Sequence, residues 1–575
     1  MWNDNIPALR LLFRTSSKTT MIRLSFAVLL LSLTYLGGQA YLRNTERTVQ
    51  SSIIKGKIQD TSQEHSVSNS KLLIDDELKT FIEDLMKVYG VHGLTLGIVF
   101  HGQEEFGGFG VSTEDGDLVE EETLFSIGSC SKAYTAAALG ILIDNFERGA
   151  NETPLPPNLP HLHWTTKIKD ILGDDWKLPD QRASDQRNIL DLLTHMTGFP
   201  KRKYQYNNLM YIVASYIVEI YSGTDFTTFV TDRILKPANM TNSVYFASEA
   251  SRIGTLSHGW DMGGRRIPYV FSPQASKLTA GEGSLISNAR DMVKWVRILL
   301  NEGIDPMTNK TIIPKQMIKT IIGAHVVTSP ASLWPELSIT TYGFGWAQNS
   351  YQGHNRIGHA GGVSGFTTLL TFYPDDGLGI FVSTNTGMKS PLTETIVNRI
   401  SEDALGLRRI NWTDRYGPPD PPAELPNTPS GPSEPAVEDL SGTYFNEGYG
   451  NLTLCHSSSV SEECRKVQGA FAPFMIDRAP EHTLFAAWPK TWVTHALVTR
   501  VYGPFFFASL LSIHGNGYGK DTTPFFERKP FMQIPALFFE RNQTRSLAVY
   551  DDEDNFKRDM IGRPGENAMA VFLRE

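Results

Sequence analysis

The sequence has no His-Glu-x-x-His and no Cys-x-x-Cys, and its lone His-x-His, His161-Leu-His163, reads as a satisfied pair of loop histidines, so no metal and no cofactor are expected. Gly-x-Ser-x-Gly is missing as well, which removes the elbow that an α/β-hydrolase triad needs. Phosphate-binding loops are absent. Long Lys/Arg runs are also absent and the formal charge is −9, which argues against nucleic acid as a partner and implies little beyond solubility. Cysteine is scarce. Of the three, Cys455 and Cys464 are near enough for a local disulfide in an oxidising compartment, and Cys130 reads as a small buried filler.

With 575 residues, 41% hydrophobic and 20% charged, the composition is that of an ordinary globular chain long enough for two or more domains. Leu24 to Leu36 is an apolar run preceded by Arg10, Arg14, Lys18 and Arg23 and followed by Gly38-Gln39-Ala40, a secretory pattern. Two readings stay open for residues 1–42. Starting from Met21 they give a cleavable signal peptide and a secreted protein. Starting from Met1, residues 24–42 serve as a membrane anchor, giving a single-pass type II protein. The sequons at Asn151, Asn239, Asn309, Asn411, Asn451 and Asn542 fit passage through the secretory pathway as glycan acceptors.

Residues 43–71 are polar and without periodicity, a linker. A domain over 72–412 follows. Asp75 to Tyr89 carries apolar residues at helical spacing, and Leu94 to Phe100 and Glu105 to Val111 read as paired strands. Trp164 to Gly345 reads as a helical block, clearest at Ile189 to Leu193, Leu209 to Ser222, Phe226 to Leu235 and Ala289 to Leu300. Strand-like runs return at Phe366 to Tyr373 and Gly379 to Ser383, so the expected class is α+β, an antiparallel sheet assembled from both ends and flanked by helices. Residues 413–436 are a proline-rich, semi-rigid linker, and 437–575 alternate short apolar runs with turns, a small C-terminal β domain.

Chemistry concentrates around Leu124 to Asp144. Ser129 and Lys132 stand three apart at the start of an apolar, Ala-rich helix, which places nucleophile and amine on one face. Burial disfavours the ammonium, so a neutral amine can take the serine proton. The four-residue pattern alone is weak, since Ser52/Lys55 and Ser68/Lys71 repeat it in a polar stretch, and a serine here can equally be a helix cap. Two further elements add to it. Tyr206-Asn207-Asn208 offers a phenol to shuttle the proton, favoured as phenolate by Lys132, and an amide for a substrate carbonyl. His359-Ala360-Gly361-Gly362 is a glycine-rich approach to a strand, where an edge N–H can join that of Ser129 in an oxyanion hole. The bland alternatives are a packing tyrosine at 206 and a polar loop histidine at 359.

In the order Ser-x-x-Lys, Tyr-x-Asn, His-x-Gly, with LFSIGSCSK, LLTHMTGFP, AGEGSLISNARD, Tyr342-Gly343-Phe344-Gly345-Trp346 and GHAGGVSGF, the chain resembles the penicillin-binding serine hydrolase superfamily, in its class C β-lactamase-like branch of esterases and transesterases. The resemblance covers about Leu72 to Leu407, and Leu440-Ser-Gly-Thr-Tyr444 gives the C-terminal region a likeness to the lipocalin-like domain of some members. It implies a β-lactamase/transpeptidase-like fold and a Ser129 acyl-enzyme. Lys132 and Tyr206 would handle the proton, and Asn208, His359, Gly361 and Gly362 would contact a small-molecule or peptide-like acyl substrate. Ser129 and Gly362 N–H groups would form the oxyanion hole. His359 departs from the Lys that β-lactamases and peptidases of the superfamily often carry there for a substrate carboxylate, which favours an ester, thioester or amide donor. The rivals are acyl transfer to an alcohol, as in transesterases of natural-product pathways, and a non-catalytic binding protein on the same fold. A wall peptidase is disfavoured by the export features. The oligomeric state and the acyl group are not legible.

Overall fold

The computed structural model describes residues 72–178, 181–197, 204–417, 435–474, 482–550, 553–566 and 568–575. The expected signal or anchor, the whole of the 43–71 linker and most of the proline-rich segment lie outside them. Among the described residues no helix is long and apolar enough to cross a membrane.

Alternation decides the first sheet. In β1 (Gly93–Phe100) Leu94, Leu96 and Ile98 face one core, shared with helix α1 (Asp76–Tyr89), while Val99 joins the opposite one. β1 forms a hairpin with β2 (Gln103–Gly110). The remaining strands come from much later in the chain: β3 (Val326–Ser329), β4 (Thr340–Tyr342), β5 (Ala347–Tyr351), β6 (His354–Val363), β7 (Phe366–Tyr373) and β8 (Leu378–Thr384). Their order is β2-β1-β8-β7-β6-β5-β4-β3, with β1 and β8 antiparallel from Leu94 opposite Thr384 to Phe100 opposite Leu378. The sheet is therefore assembled from both ends, as expected. Helix α5 (Ala289–Leu300) covers one face, and α6 (Ser390–Leu405) with α1 covers the other. The close approach of α5 requires Gly379, where a Cβ would stand 2.0 Å from Val296 Cγ1.

Between these strands lie α2 (Lys132–Glu147), α3 (Ile189–Leu193) and α4 (Asn208–Ser222). Nearly every residue of α2 is buried, so it is the axis of the helical half rather than an amphipathic cover. Two expectations are corrected. The block over 164–345 is not purely helical, because β3, β4 and the short pair Phe125–Ser126 with Ile286–Ser287 draw on it. His359 to Gly362 are not a loop leading into the Phe366–Tyr373 strand; they lie inside a strand of their own, β6, and His359 is a buried strand residue.

The second sheet is formed by β9 (Gly442–Asn446), β10 (Gly450–Leu454), β11 (Thr483–Ala487), β12 (His495–Tyr502), β13 (Phe505–His514), β14 (Phe525–Arg541), β15 (Thr544–Val549) and β16 (Ala570–Arg574), in the order β10-β9-β16-β15-β14-β13-β12-β11. It is nearly closed. Just past β10, Cys455 and Phe485 exchange two backbone hydrogen bonds of 2.8 Å and join the two edge strands. The barrel encloses its own apolar core, and Trp492 packs against both that core and the helical half of the first body. A salt bridge of 3.1 Å from Arg265 to Asp521 also joins the two.

Cys455 is bonded to Cys464 in helix α7 (Glu462–Phe471), an element not anticipated from the sequence. The link fastens α7 over the seam of the barrel. Closing a short loop in the unfolded chain is worth about 2–3 kcal/mol, so Cys455→Ala/Cys464→Ala is expected to lower the barrel's unfolding transition by that amount. Calorimetry checks it against the transition of the first body, and an unmoved barrel transition would show that the seam holds without the crosslink. Of the sequon asparagines, Asn239, Asn309, Asn411, Asn451 and Asn542 are exposed and Asn151 is half-buried, its amide donating to the Thr153 carbonyl.

Candidate active site

Ser129 lies in a single turn of 3-10 helix, Gly128–Ser131, directly before α2. That turn is held from three sides. The Ile127 N–H donates to the Leu285 carbonyl, the Ser131 hydroxyl donates to the Gly128 carbonyl at 2.7 Å, and the Leu285 N–H donates to Ser131 Oγ. The Cys130 thiol donates to the His359 carbonyl at 3.2 Å, and burial pushes that thiol up to about 12. Cys130 is thus a filler, as expected, and an inert one. Against β6 the approach is backbone to backbone. Gly128 has φ +52, and a Cβ there would sit 2.7 Å from the Gly362 nitrogen; a Cβ on Gly361 would sit 2.0 Å from the Ile127 carbonyl oxygen. β5 pairs with β6 only as far as Gly358, so the turn takes over the edge that β5 leaves.

Ser129 itself is half-buried and reaches the surface, while Lys132 behind it is fully buried. The lysine Nζ is 3.0 Å from Ser129 Oγ, 2.7 Å from the Glu282 carbonyl oxygen and 3.7 Å from Glu282 Oε2. Burial pulls the amine down to about 8, against the opposing pull of the Glu282 carboxylate. The same burial holds Glu282 above the usual carboxylate range, with Lys132 pulling it back. Two phenol rings complete the enclosure: Nζ is 5.0 Å from the Tyr206 centroid and 5.4 Å from that of Tyr211.

Tyr206 and Asn208, both buried, flank the cap of α4, where Asn207 Oδ1 accepts the Leu209 N–H. Their segment is fixed by His195. This residue has φ 59, its carbonyl accepts the Gln205 N–H and its Nδ1 accepts the Asn207 N–H at 3.0 Å. The His195 proton therefore sits on Nε2. Burial holds the imidazole neutral, its ring 4.3 Å from that of Tyr206. Of the LLTHMTGFP stretch, Gly198 to Pro200 lie outside the described residues.

His359 is neutral too. Its Nδ1 is 2.6 Å from the Ala360 carbonyl oxygen, which can only accept, so the proton is on Nδ1 and Nε2 accepts the Tyr342 hydroxyl at 2.9 Å. Burial, then the charge of Lys132, pushes the ring down to about 3. A neutral imidazole engaged in this way offers no positive charge to a substrate carboxylate.

The structure thus brings Ser129 Oγ and the Tyr206 ring to the Lys132 amine and lays Gly361–Gly362 against the Ser129 turn. Three residues of the arrangement have no assigned role in the sequence reading: Glu282, His195 and Tyr342. A signal existed for Glu282, a lone acid between two glycines in an otherwise small and apolar stretch. Among the described residues no group of His, Cys, Asp and Glu could hold a metal ion.

Comparison with known proteins gives both sequence relatives and a family. A protein named unguisins hydrolase ungD′ from Aspergillus campestris is 24% identical over 437 residues, covering 66% of this chain and 78% of its own. Unguisins hydrolase ungD from Aspergillus violaceofuscus is 24% identical over 460 residues, covering 67% and 77%. Among solved structures, an octameric penicillin-binding protein homologue from Pyrococcus abyssi superposes with a TM-score of 0.47 at 17% identity, over 87% of this chain and 99% of that one. The family profile described as Beta-lactamase matches residues 78–398, more than half of the sequence and all of the site just described. The chain belongs to the β-lactamase family, the β-lactamase-like serine hydrolases.

Proposed function

We propose that the protein hydrolyses an ester or amide through an acyl-enzyme on Ser129. The observation that carries this is the buried Lys132 amine, 3.0 Å from Ser129 Oγ and depressed to about 8. Its neutral form accepts the serine proton, and the Oγ pair attacks the acyl carbon. Ser129 and Gly362 N–H groups are the proposed donors to the oxyanion. Tyr206 passes the proton on to the leaving group, Asn208 meets the substrate amide or ester carbonyl, and water takes the acyl group. Neutral His359 favours a donor without an obligatory carboxylate, either a small molecule or a peptide-like amide; two relatives carry the name hydrolase, in keeping with hydrolysis. The Cys455–Cys464 disulfide fits a protein made in the secretory pathway.

The test is intact-mass labelling with a fluorophosphonate beside a Ser129→Ala control, followed by p-nitrophenyl ester turnover. One adduct, lost in the control, with ester turnover is the expected result. Adduct without turnover would point to transfer onto an alcohol acceptor, and no adduct on folded protein to a binding role.

A further inference from the structure

Glu282 enters the site on a segment that runs alongside the nucleophile. The Thr135 hydroxyl donates to the Gly281 carbonyl at 2.6 Å, Lys132 Nζ donates to the Glu282 carbonyl, and Leu285 meets Ser131 and Ile127. Gly281 makes this approach feasible, since a Cβ there would stand 2.5 Å from the Tyr211 carbonyl oxygen. Glu282 is 3% exposed, and its Oε1 has no hydrogen-bond partner among the described residues. A buried carboxylate held with one cation and little else costs stability, so its retention calls for a reason in the chemistry.

The three Nζ contacts supply that reason. An ammonium has three N–H groups and no lone pair; a neutral amine has two N–H groups and one lone pair. Of the three polar atoms around Nζ, two belong to Glu282, the carbonyl oxygen and Oε2, and the third is Ser129 Oγ. When Lys132 is neutral, the Glu282 carbonyl accepts one N–H at 2.7 Å, the carboxylate 3.7 Å away attracts the other, and the lone pair is left facing Ser129. We infer that Glu282 is a positioning residue that aims the Lys132 lone pair at Ser129 and supplies the counter-charge for the ammonium formed on proton transfer. This rests on the acyl-enzyme reading above. In that step the Ser129 O–H bond breaks and an N–H bond forms on Lys132. The electron pair stays on Oγ for attack, and the new positive charge is met by the carboxylate already in place.

The other groups facing Lys132 do not duplicate this role. Tyr206 and Tyr211 present their rings, Cys130 is held as a thiol, and His195 and His359 are neutral. Among the described residues Glu282 is the single carboxylate that acts on the amine.

Two readouts test the inference: the pH dependence of Ser129 acylation by a fluorophosphonate, and a titration of Lys132 in protein carrying 13C at lysine Cε. In Glu282→Gln the Lys132 midpoint is expected to fall by at least about one pH unit, because an opposing charge that raised it is gone. The acylation plateau is expected to drop about 10–100-fold, because the ammonium is no longer met. A residue that merely filled space would lower the plateau and leave the midpoint where it was. Glu282→Asp keeps the charge at a longer reach and falls between, with a smaller downward shift and a partly restored plateau; should the Gln variant fold poorly, this shift carries the test. The two failures separate. No acylation of Ser129 in the wild type overturns the acyl-enzyme reading, whereas normal acylation with an unmoved Lys132 midpoint in the variants overturns the role of Glu282 alone.

Discussion

Lys132→Met is expected to reduce kcat/KM for ester hydrolysis by about 10⁴-fold, the upper end of what a positioned proton acceptor contributes. Neither nearby imidazole can replace it. His195 and His359 are the obvious bases in the vicinity, but His195 Nδ1 already accepts the Asn207 N–H and His359 Nε2 the Tyr342 hydroxyl. The pH dependence fixes the sign. In the wild type the reactive form is the neutral amine, whose fraction falls tenfold for each pH unit below the midpoint of about 8. Activity should therefore rise with pH through that midpoint, and the residual activity of the Met variant should lack the limb. Stability moves separately, because Met leaves Glu282 as a buried carboxylate without its cation, a loss of about 3–5 kcal/mol. Adding Glu282→Gln should recover most of that in urea denaturation and none of the turnover. If the double variant regained turnover, Lys132 would not be the base.

What the sequence made legible is what depends on short range. Ser129 and Lys132 are three residues apart, so their proximity follows from helical geometry once the apolar run beyond them is read as buried. The alternation in Leu94 to Phe100 likewise contains its own answer, and β1 pairs with β8 because both are apolar on two faces. Glu282 is 150 residues from Lys132 and Tyr342 is 17 from His359. Neither pairing has a local signature, and both arise only when the chain closes. The His359 box was misplaced for a related reason. Adjacent glycines lower strand propensity, and only the contact of β6 with Gly128 and Ile127 explains why glycine is required within the strand. β3 and β4 were hidden by their shortness and by Thr and Ser at sheet-edge positions. Helix α7 was hidden by a charged stretch, Glu462 to Lys466, whose buried side is little more than Cys464, Val467 and Phe471.

The adjacent glycines of β6 should respond in opposite ways to one methyl group, and that contrast locates the oxyanion wall. At Gly361 a Cβ would lie 2.0 Å from the Ile127 carbonyl oxygen and 3.3 Å from Thr368 Cβ, so the strand edge and the Ser129 turn must part. Neither obstacle is a flexible side chain. Gly361→Ala is expected to lower kcat/KM by about 10²–10³-fold, the loss that follows when a donor leaves a developing oxyanion. Overpacking should take about 1–3 kcal/mol from stability as well. At Gly362 a Cβ meets nothing within 4 Å, and the residue is exposed. Gly362→Ala should fold with wild-type stability and retain its N–H, so that only bulky acyl groups lose rate and small acetyl esters do not. Kinetics on a short and a long p-nitrophenyl ester, with melting curves on each variant, separate the two effects. Equal losses at both positions would mean that the β6 edge is not the wall against which the oxyanion forms.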